Sequence, residues 1–376
     1  MKTNEGIVTS PGRVNLLGEH VDYNGGIVLP AAIDRSVKIT FERAGSSLVN
    51  ISALDLNDHC QFSIEDLDAK ITSNGSPLPG WALYPAGVLW SLRQYGCQLE
   101  GFNAQFTSSI PIGAGLSSSA AVEVGFAVVC DSLGGWQLDR LEIAKLCQHA
   151  EREYVGVNCG LMDQFACACG VADHVVMLDT RSLENRPVPL PKDTAVVIAD
   201  SGIRRTLVTS AYNERRRDCE SALAYFNKID PRITSLRDLD SELFARHENQ
   251  LPHQVAKRAR HIVEEIARVN RAITLLENND AERFGALMLE AHTSLRDLYE
   301  VSIPELNILV EEAMLIEGCY GARLTGAGFG GCTVSLVKAS QVNEFIPKLI
   351  YMYNQRTGLK AAVFATHASR GAFLHV

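Results

Sequence analysis

Residues 111–121 read PIGAGLSSSAA, and they join a segment of alternating apolar and polar residues to an apolar segment of helical length. Gly113 and Gly115 permit a positive φ and a close approach of the backbone, so successive N–H groups can turn toward an anion. Ser117 to Ser119 follow at a helix start, where unpaired N–H groups favour a phosphate. The stretch predicts a phosphate-binding loop, and an ordinary helix N-cap after a flexible turn is the alternative.

The spacing of this loop excludes the two commonest nucleotide-binding patterns. The loop lacks the lysine of G-x-x-x-x-G-K-[ST], and it does not match G-x-G-x-x-G. It resembles instead the ATP-binding motif of the GHMP small-molecule kinases. This resemblance implies ATP as co-substrate and assigns six loop residues to it: Gly113, Gly115, Leu116, Ser117, Ser118 and Ser119.

Composition and charge narrow the classes of function that the chain can have. With 376 residues, 46% of them hydrophobic and 21% charged, the chain has the size and make-up of a two-domain globular protein. Its net charge of −9 has no basic block to offset it, which argues against nucleic acid or an anionic membrane as partner. The N-terminus has no apolar signal core, and no segment approaches about 18 apolar residues. We expect a monomeric cytoplasmic protein with reduced cysteines that acts on a small molecule.

Polar side chains are unusually dense in residues 12–26, GRVNLLGEHVDYNGG. A turn rich in Gly, Asn and Asp presents such groups to a polyhydroxylated ligand, and a solvated loop with a salt bridge is the alternative. The segment resembles the signature of the galactokinase family, a branch of the GHMP kinases. The resemblance implies that Glu19, His20 and Asp22 contact the hydroxyl groups of a sugar. It also places Arg13 beside the reacting hydroxyl.

Two later segments extend this resemblance. Residues 160–165, GLMDQF, place an acid among apolar residues after a glycine. The family pattern implies that Asp163 faces the hydroxyl to be phosphorylated and that Gly160 lies beside the sugar. A helix N-cap is the alternative for Asp163, and its role as general base or as a group that orients the hydroxyl stays open. Residues 204–219, RRTLVTSAYNERRRDC, match another block of the family and make Tyr212 a sugar contact.

A metal site and an adenine site follow from the same resemblance. Glu151 lies near the end of a predicted helix, where a carboxylate opposes the helix dipole, so an exposed acid is the alternative. The family pattern implies that Glu151 and a loop serine, Ser119 with Ser118 as the alternative, hold Mg²⁺, which prefers one or two protein oxygens together with phosphate oxygens. Trp81 and Tyr84 belong to a helical apolar stripe, normally core, but the family pattern places them beside adenine.

The predicted elements give an α+β protein with the two-domain GHMP kinase architecture and its active site in the cleft between the domains. Three prolines between residues 187 and 191 indicate a boundary, which gives domains 1–186 and 193–376. The glycine turn 326–331 resembles the third GHMP motif, which closes over the phosphates; a plain hairpin is the alternative. Strands are predicted over 36–43, 101–108, 174–178, 194–199 and 361–365. Helices are predicted over 81–95, 120–133, 138–154, 252–277, 281–298, 304–317 and 342–356.

The resemblance spans residues 10–331 and implies an activity. It is the ATP-dependent phosphorylation of the anomeric hydroxyl of α-D-galactose, which yields galactose 1-phosphate and ADP. Two alternatives stay open. One is a kinase for a related sugar, such as N-acetylgalactosamine or arabinose, and the other is a regulator that binds sugar and ATP without turnover.

Overall fold

The computed structural model describes residues 2–204 and 208–375, and this part of the chain contains runs of strands and runs of helices. The strands are β1 (Glu5–Asn15), β2 (Ile27–Val28), β3 (Pro30–Arg43), β4 (Leu48–Ala53), β5 (Asp58–Ser63), β6 (Phe102–Ser108), β7 (His174–Asp179), β8 (Asn185–Pro189), β9 (Thr194–Asp200), β10 (Cys319–Thr325), β11 (Cys332–Lys338), β12 (Ala362–Thr366) and β13 (Phe373–His375). The helices are α1 (Leu83–Tyr95), α2 (Ser118–Gly134), α3 (Arg140–His149), α4 (Met162–Cys169), α5 (Val208–Ile229), α6 (Ser241–His247), α7 (His253–Glu277), α8 (Ala281–Asp297), α9 (Pro304–Met314) and α10 (Val342–Thr357). The predicted α+β class is confirmed.

The largest sheet has six strands in the order β13, β1, β3, β6, β4, β5. On β3 the side chains of Val37, Ile39 and Phe41 are buried and those between them are exposed, as the alternating pattern predicts for a half-buried strand. β3 pairs antiparallel with β1 and with β6, and α2 packs against β1 and β3. The strands predicted over 36–43 and 101–108 are confirmed as parts of β3 and β6. Strands β4 and β5 lie outside the predicted elements.

A three-stranded sheet combines β2, from the N-terminal part of the chain, with β7 and β8 in the order β2, β7, β8. Its edge strand β8 contains two of the three prolines that indicate the domain boundary, and Pro187 lies opposite Val176 in the ladder. Proline donates no hydrogen bond, so it is tolerated at a sheet edge. The proline-rich segment therefore begins as an edge strand before it becomes a connection.

The third sheet, ordered β10, β11, β9, β12, is antiparallel throughout. Helix α8 packs against β10, α9 against β10 and β11, and α10 against α9 and β12. The chain then returns to the first sheet, where β13 pairs with β1. The domain limits 1–186 and 193–376 stay a prediction, and the last strand lies on the N-terminal sheet.

Most of the predicted helices are confirmed within a few residues, with one informative difference. The helix predicted over 138–154 ends as α3 at His149 and continues as a π-helical turn, Ala150–Val155, which Gly156 terminates with a φ of 91°. Such turns are rare and often occur at functional sites. This one carries Glu151. None of the helices in the described residues is long and apolar enough to cross a membrane.

Candidate active site

The predicted phosphate-binding loop leads from β6 into α2. Gly113 and Gly115 adopt φ angles of 67° and 77°, the left-handed conformation that glycine tolerates best. Ser117 directly precedes the helix with a φ of 56°, yet its side chain makes no capping hydrogen bond. Its hydroxyl donates instead to Asp163 Oδ2 at 2.6 Å. The N-cap alternative is therefore wrong for this side chain, which faces the acid.

A cavity of about 470 Å³ opens beside this loop, and we call it the loop cavity. Five glycines and three serines contribute to its wall. Gly331, in the turn between β10 and β11, has a φ of 80°, and a Cβ there would lie 2.7 Å from Ala114 O. The glycine turn is thus a hairpin that also packs on the phosphate-binding loop. The residues that line the cavity are Arg13, Tyr84, Gly113, Gly115, Ser117, Ser118, Ser119, Asp163, Ile203, Arg204, Thr325, Ala327, Gly328, Phe329, Gly330 and Gly331.

Arg13 and Asp163 form a bidentate ion pair at the inner end of the loop cavity. Arg13 Nε donates to Asp163 Oδ1 and Nη2 to Oδ2, both at 2.8 Å, and Nη1 donates to Gly115 O at 2.6 Å. Arg13 is only 4% exposed. Burial lowers its pKa, but the carboxylates of Asp163 and Glu19 more than offset this and raise the pKa above its ordinary value. Asp163 lies within the first turn of α4 and caps no helix, so its N-cap alternative is wrong.

A second, smaller cavity of about 180 Å³ meets the loop cavity at this ion pair. We call it the small cavity. Arg13, Asp163 and Ala327 line both cavities. A group bound in the small cavity and one bound in the loop cavity would therefore face each other across Arg13 and Asp163. The residues that line the small cavity are Arg13, Glu19, His20, Asp22, Glu151, Val157, Cys159, Gly160, Met162, Asp163, Tyr212, Asn213, Gly326 and Ala327.

Glu19 is buried in the wall of the small cavity and anchored through one oxygen. Glu19 Oε1 accepts from Gly326 N at 2.8 Å and from Thr325 Oγ1 at 3.1 Å. It also lies 2.9 Å from Arg323 Nη2, in an ion pair whose two side chains are 2% and 0% exposed. The hydrogen bonds of the described residues leave Oε2 without a donor. Sequence reasoning missed Arg323, because its contact with Glu19 spans more than 300 residues.

His20 adopts a left-handed conformation, with a φ of 63°, and its ring is buried. Its Nδ1 lies 2.8 Å from Tyr23 Oη, and its ring packs against the rings of Tyr212 and Tyr299. Burial, followed by the positive charge of a nearby histidine, lowers the pKa of His20 to about 3, so the ring is neutral near pH 7. Its buried Nε2 has no partner among the described residues.

Asp22 completes the acidic wall of the small cavity. Burial first, and then the charges of Asp163 and Glu19, raise its pKa to about 7. Gly160 packs so closely on Asp22 that a Cβ at position 160 would overlap with the carboxylate. Only glycine therefore leaves room for Asp22 in this position.

The family comparisons agree with this geometry. The family described as GHMP kinases N terminal domain matches residues 84–171, and GHMP kinases C terminal matches residues 272–355. The galactokinase galactose-binding signature matches residues 1–43. The galactokinase of Roseiflexus sp. (strain RS-1) is 45% identical over 97% of this chain and 92% of its own length. The chain belongs to the galactokinase family.

Solved structures support the same relationship. A crystal structure of Lactococcus lactis galactokinase complexed with galactose matches with a TM-score of 0.92 and 33% identity, over 98% of this chain and 95% of that one. The galactokinase of Haemophilus influenzae (strain ATCC 51907 / DSM 11121 / KW20 / Rd) is 40% identical over 97% of this chain and 93% of its own length. Methanococcus jannaschii mevalonate kinase, 19% identical over 98% of this chain and 100% of that one with a TM-score of 0.68, shares the fold.

The sequence-predicted residues fall into three groups in the structure. Eight surround the small cavity: Arg13, Glu19, His20, Asp22, Glu151, Gly160, Asp163 and Tyr212. Six others line the loop cavity: Tyr84, Gly113, Gly115, Ser117, Ser118 and Ser119. The remaining two, Leu116 and Trp81, are not among the described residues that line either cavity. Residues 205–207 of the block 204–219 lie outside the described residues.

Leu116 and Trp81 have other contacts. Leu116 is 1% exposed, and its carbonyl oxygen accepts a hydrogen bond from Arg13 N at 3.1 Å. It therefore anchors the loop to the core and to β1. Trp81 packs on Phe106, and its Nε1 donates to Asp58 Oδ2 at 2.8 Å. Trp81 is therefore partly buried against the core, as the apolar-stripe alternative predicts, and its place beside adenine stays a prediction.

Glu151 is buried, so the exposed-acid alternative is wrong. Burial, followed by the charge of Asp163, raises its pKa to about 7, and hydrogen bonds from Cys159, Gln164 and Ser119 lower it in part. A carboxylate beside a serine hydroxyl next to the phosphate-binding loop is a suitable donor set for Mg²⁺, which draws its other ligands from phosphate and water. Among the described residues, no group of three His, Cys, Asp or Glu could hold a metal alone.

Two further residues next to Glu151 were missed by sequence reasoning. Gln164 Nε2 donates to Glu151 Oε2 and, at 3.0 Å, to Glu123 Oε2. Glu123 is fully buried on α2, and burial followed by the charge of Glu151 raises its pKa well above the ordinary value. An acid inside an otherwise apolar helical stretch is the signal that could have found it.

Proposed function

We propose that this chain transfers the γ-phosphoryl group of ATP to the anomeric hydroxyl of α-D-galactose, giving galactose 1-phosphate and ADP. One observation carries the proposal: the Arg13–Asp163 pair lies where the small cavity and the loop cavity meet. Curated relatives over nearly the whole length are named galactokinase, and the similar crystal structure is of a complex with galactose. We further propose that the enzyme acts as a cytoplasmic monomer, because one chain lines both cavities and its ten cysteines are free.

The small cavity is the proposed sugar site. Its volume of about 180 Å³ suits a single monosaccharide, and its wall combines the carboxyl groups of Glu19, Asp22, Glu151 and Asp163 with a neutral imidazole. Glu19 Oε2 and Asp22 can accept hydrogen bonds from hydroxyl groups, and His20 Nε2 is a buried polar atom without a partner in the described part of the chain. A sugar whose hydroxyl groups point elsewhere would leave these groups unpaired, which is the physical basis of rejection.

The loop cavity is the proposed nucleotide site. The backbone N–H groups between Gly113 and Ser119 and the N-terminus of α2 provide positive potential for the phosphates of ATP. Ser117, Ser118 and Ser119 add hydroxyl donors to the same wall. Tyr84 lines this cavity as well and is the remaining residue assigned to the adenine.

Asp163 and Arg13 are the proposed catalytic pair. Asp163 accepts a hydrogen bond from the anomeric hydroxyl and orients its oxygen toward the γ-phosphorus. In a loose phosphoryl-transfer transition state the attacking oxygen gains little charge early, so Asp163 takes the proton late in the reaction. Arg13 holds the carboxylate in place through two hydrogen bonds and offsets negative charge on the phosphoryl oxygens.

Glu151 and Ser119 are the proposed protein ligands of Mg²⁺. When bound, the metal would neutralise charge on the ATP phosphates.

We expect Glu151→Gln to raise the Mg²⁺ concentration that ATP binding requires by at least about 10–100-fold. Losing even a residue that only orients a metal ligand usually lowers metal affinity by this factor. Calorimetric titration of Mg²⁺ with a non-hydrolysable ATP analogue measures this. Glu153→Gln, an exposed residue of the same π-helical turn, is the matched control. An unchanged Mg²⁺ dependence in Glu151→Gln would remove it from the metal site.

A coupled ADP-release assay with a panel of sugars tests the activity. We expect kcat/KM for galactose to exceed that for glucose by about 10⁴ or more, as a site built to bind a hydroxyl group allows. N-acetylgalactosamine and arabinose belong in the panel, because a few pocket residues could favour either. A glucose value within about threefold of galactose would contradict the sugar assignment. Binding of sugar and ATP without ADP release would indicate the regulator instead.

A further inference from the structure

Arg323 on β10 is the largest fully buried side chain in the described part of the chain. Its Nη2 lies 2.9 Å from Glu19 Oε1, and its Nη1 donates to Asn15 O at 3.4 Å. Glu19 is the one carboxylate that forms an ion pair with it among the described residues. A buried arginine needs such a partner, because an uncompensated charge in the protein interior is costly. The position of Glu19 therefore depends on Arg323.

All three groups that contact Glu19 Oε1 come from β10 and the glycine turn after it. They are Arg323 Nη2, Thr325 Oγ1 and Gly326 N. Thr325 Oγ1 and Gly326 N hold Oε1 by hydrogen bonds, whereas Arg323 Nη2 holds it by charge, because Nη2 has no hydrogen-bond partner among the described residues. Since these groups occupy Oε1, Oε2 is left to accept a hydrogen bond from a ligand in the small cavity. The acidic group comes from the N-terminal part of the chain, and its anchor comes from the third sheet.

The backbone around Glu19 is held by contacts other than those of its side chain. Gly18 N donates to Glu265 Oε1 at 2.8 Å, and His261 Nε2 lies 3.4 Å from Glu19 O. These contacts fix the course of the main chain between Gly18 and His20 without touching the carboxylate of Glu19. The contact with Arg323 acts on the side chain alone, so its loss would turn the carboxylate without unfolding the turn.

Charge balance gives Arg323 a second role. Four acids, Glu19, Asp22, Glu151 and Asp163, line a cavity of about 180 Å³, and like charges this close repel one another. Arg13 is committed to Asp163 through both of its oxygens. Arg323 is the cation that faces Glu19 from the opposite side. Without it, the four acids would have Arg13 as the one arginine among the described residues that line the cavity.

We propose that Arg323 is a positioning residue of the sugar site, which fixes the carboxylate of Glu19 so that Oε2 faces the sugar. This inference rests on the proposed function, because it assigns Arg323 to the recognition of galactose. Arg323 does not itself line the small cavity and does not touch the reacting atoms.

Calorimetric titration of galactose, without nucleotide, tests this inference. We expect Arg323→Met to weaken galactose binding by about tenfold or more, as losing one partner of a buried charge pair does. KM for galactose should rise in parallel, while KM for ATP stays within about threefold of the wild-type value. Arg258→Met is the matched control, because Arg258 is 3% exposed and ion-paired to Glu300 but lines neither cavity. It should lose thermal stability and keep its galactose affinity.

A double-mutant cycle isolates the contact. In a Glu19→Gln background, we expect Arg323→Met to cost less than about threefold in galactose affinity, since the carboxylate that it positions is gone. If Arg323→Met does not fold, Arg323→Lys decides, because one ammonium group cannot reach both Glu19 and Asn15 O. We expect that variant to bind galactose about threefold to tenfold more weakly.

Wild-type affinity in Arg323→Met, or in Arg323→Lys where the former is insoluble, would overturn the inference and leave Arg323 a structural residue. Equal losses in the Arg323 and Arg258 variants would overturn it as well. A wild-type chain that binds no galactose would instead overturn the proposed function, and the positioning role with it.

Discussion

The two cavities that meet at Arg13 and Asp163 are built in different ways. Side chains form the small cavity, and other side chains hold them: Glu19 by Arg323, and His20 by Tyr23. The loop cavity is formed largely by backbone, with five glycines in its wall. Phosphates are alike in every nucleoside triphosphate, so N–H groups suffice to bind them. A sugar is distinguished by the direction of its hydroxyl groups, which requires fixed side chains.

This contrast predicts where each kind of specificity can change. Replacing a side chain in the small cavity alters which sugar is accepted, whereas replacing a glycine in the loop cavity alters how well the nucleotide binds. The shared ion pair belongs to neither cavity alone, so changing it should abolish turnover while leaving each cavity able to bind its ligand.

The largest effect is expected for Asp163→Asn. The amide keeps the size of the carboxylate but cannot take a proton, so kcat should fall by about 10²–10⁴. Galactose affinity, measured by calorimetry, should stay within about tenfold, because Glu19, Asp22 and the other small-cavity groups remain. The free energy of unfolding should fall by about 1–3 kcal/mol, since Arg13 loses a charged acceptor in a buried position.

Two results would contradict this assignment. A variant with near wild-type kcat and reduced thermal stability would make Asp163 a structural partner of Arg13. A variant that no longer binds galactose would make it chiefly a sugar anchor.

The sequence predicted those parts of the site that are contiguous in the chain. The signature around Glu19, the loop around Gly115 and the segment around Asp163 each carry their chemistry in a short run of residues. Arg323 and Glu123 could not be found in this way, because their partners are brought to them by the fold. Trp81 shows the converse, since a helical apolar stripe predicts burial but not which of its members faces a ligand.

Secondary structure was predictable to a similar extent. The long amphipathic helices α7 and α8 and the alternating strands β3 and β6 follow directly from periodicity. The π-helical turn at Ala150–Val155 does not, because a single turn of six residues is too short to establish a periodicity of its own. That turn nevertheless directs Glu151 inward.

The second-largest effect is expected for a substitution that changes only the loop cavity. Gly331 has a φ of 80°, and a Cβ there would lie 2.7 Å from Ala114 O, so Gly331→Ala should displace the phosphate-binding loop. Strain of about 1–2 kcal/mol corresponds to roughly tenfold, which should appear in KM for ATP. Gly358→Ala has the same kind of strain at a φ of 70° with no atom nearby, so it should lower stability only. Equal KM values for ATP in both variants would show that the two loops do not depend on each other.

The smallest effect concerns pH and is specific to the small cavity. Asp22 has a pKa of about 7, because of burial and the charges of Asp163 and Glu19, and its ionised carboxylate accepts a hydrogen bond from a sugar hydroxyl more strongly than its protonated form does. Galactose affinity should therefore rise by somewhat less than tenfold between about pH 6 and about pH 8, with the proton released on binding at the lower pH. Asp22→Asn should remove this dependence, whereas Glu151→Gln should retain it. The free energy of unfolding changes with pH in the opposite direction to galactose affinity, because the folded chain binds the extra proton. The contribution of Asp22 to stability is present below its unfolded pKa and is lost as the pH rises through about 7. An affinity for galactose that falls with rising pH would mean that protonated Asp22 donates a hydrogen bond to a sugar oxygen. Asp22 would then act as a donor, and not as an acceptor, in the small cavity.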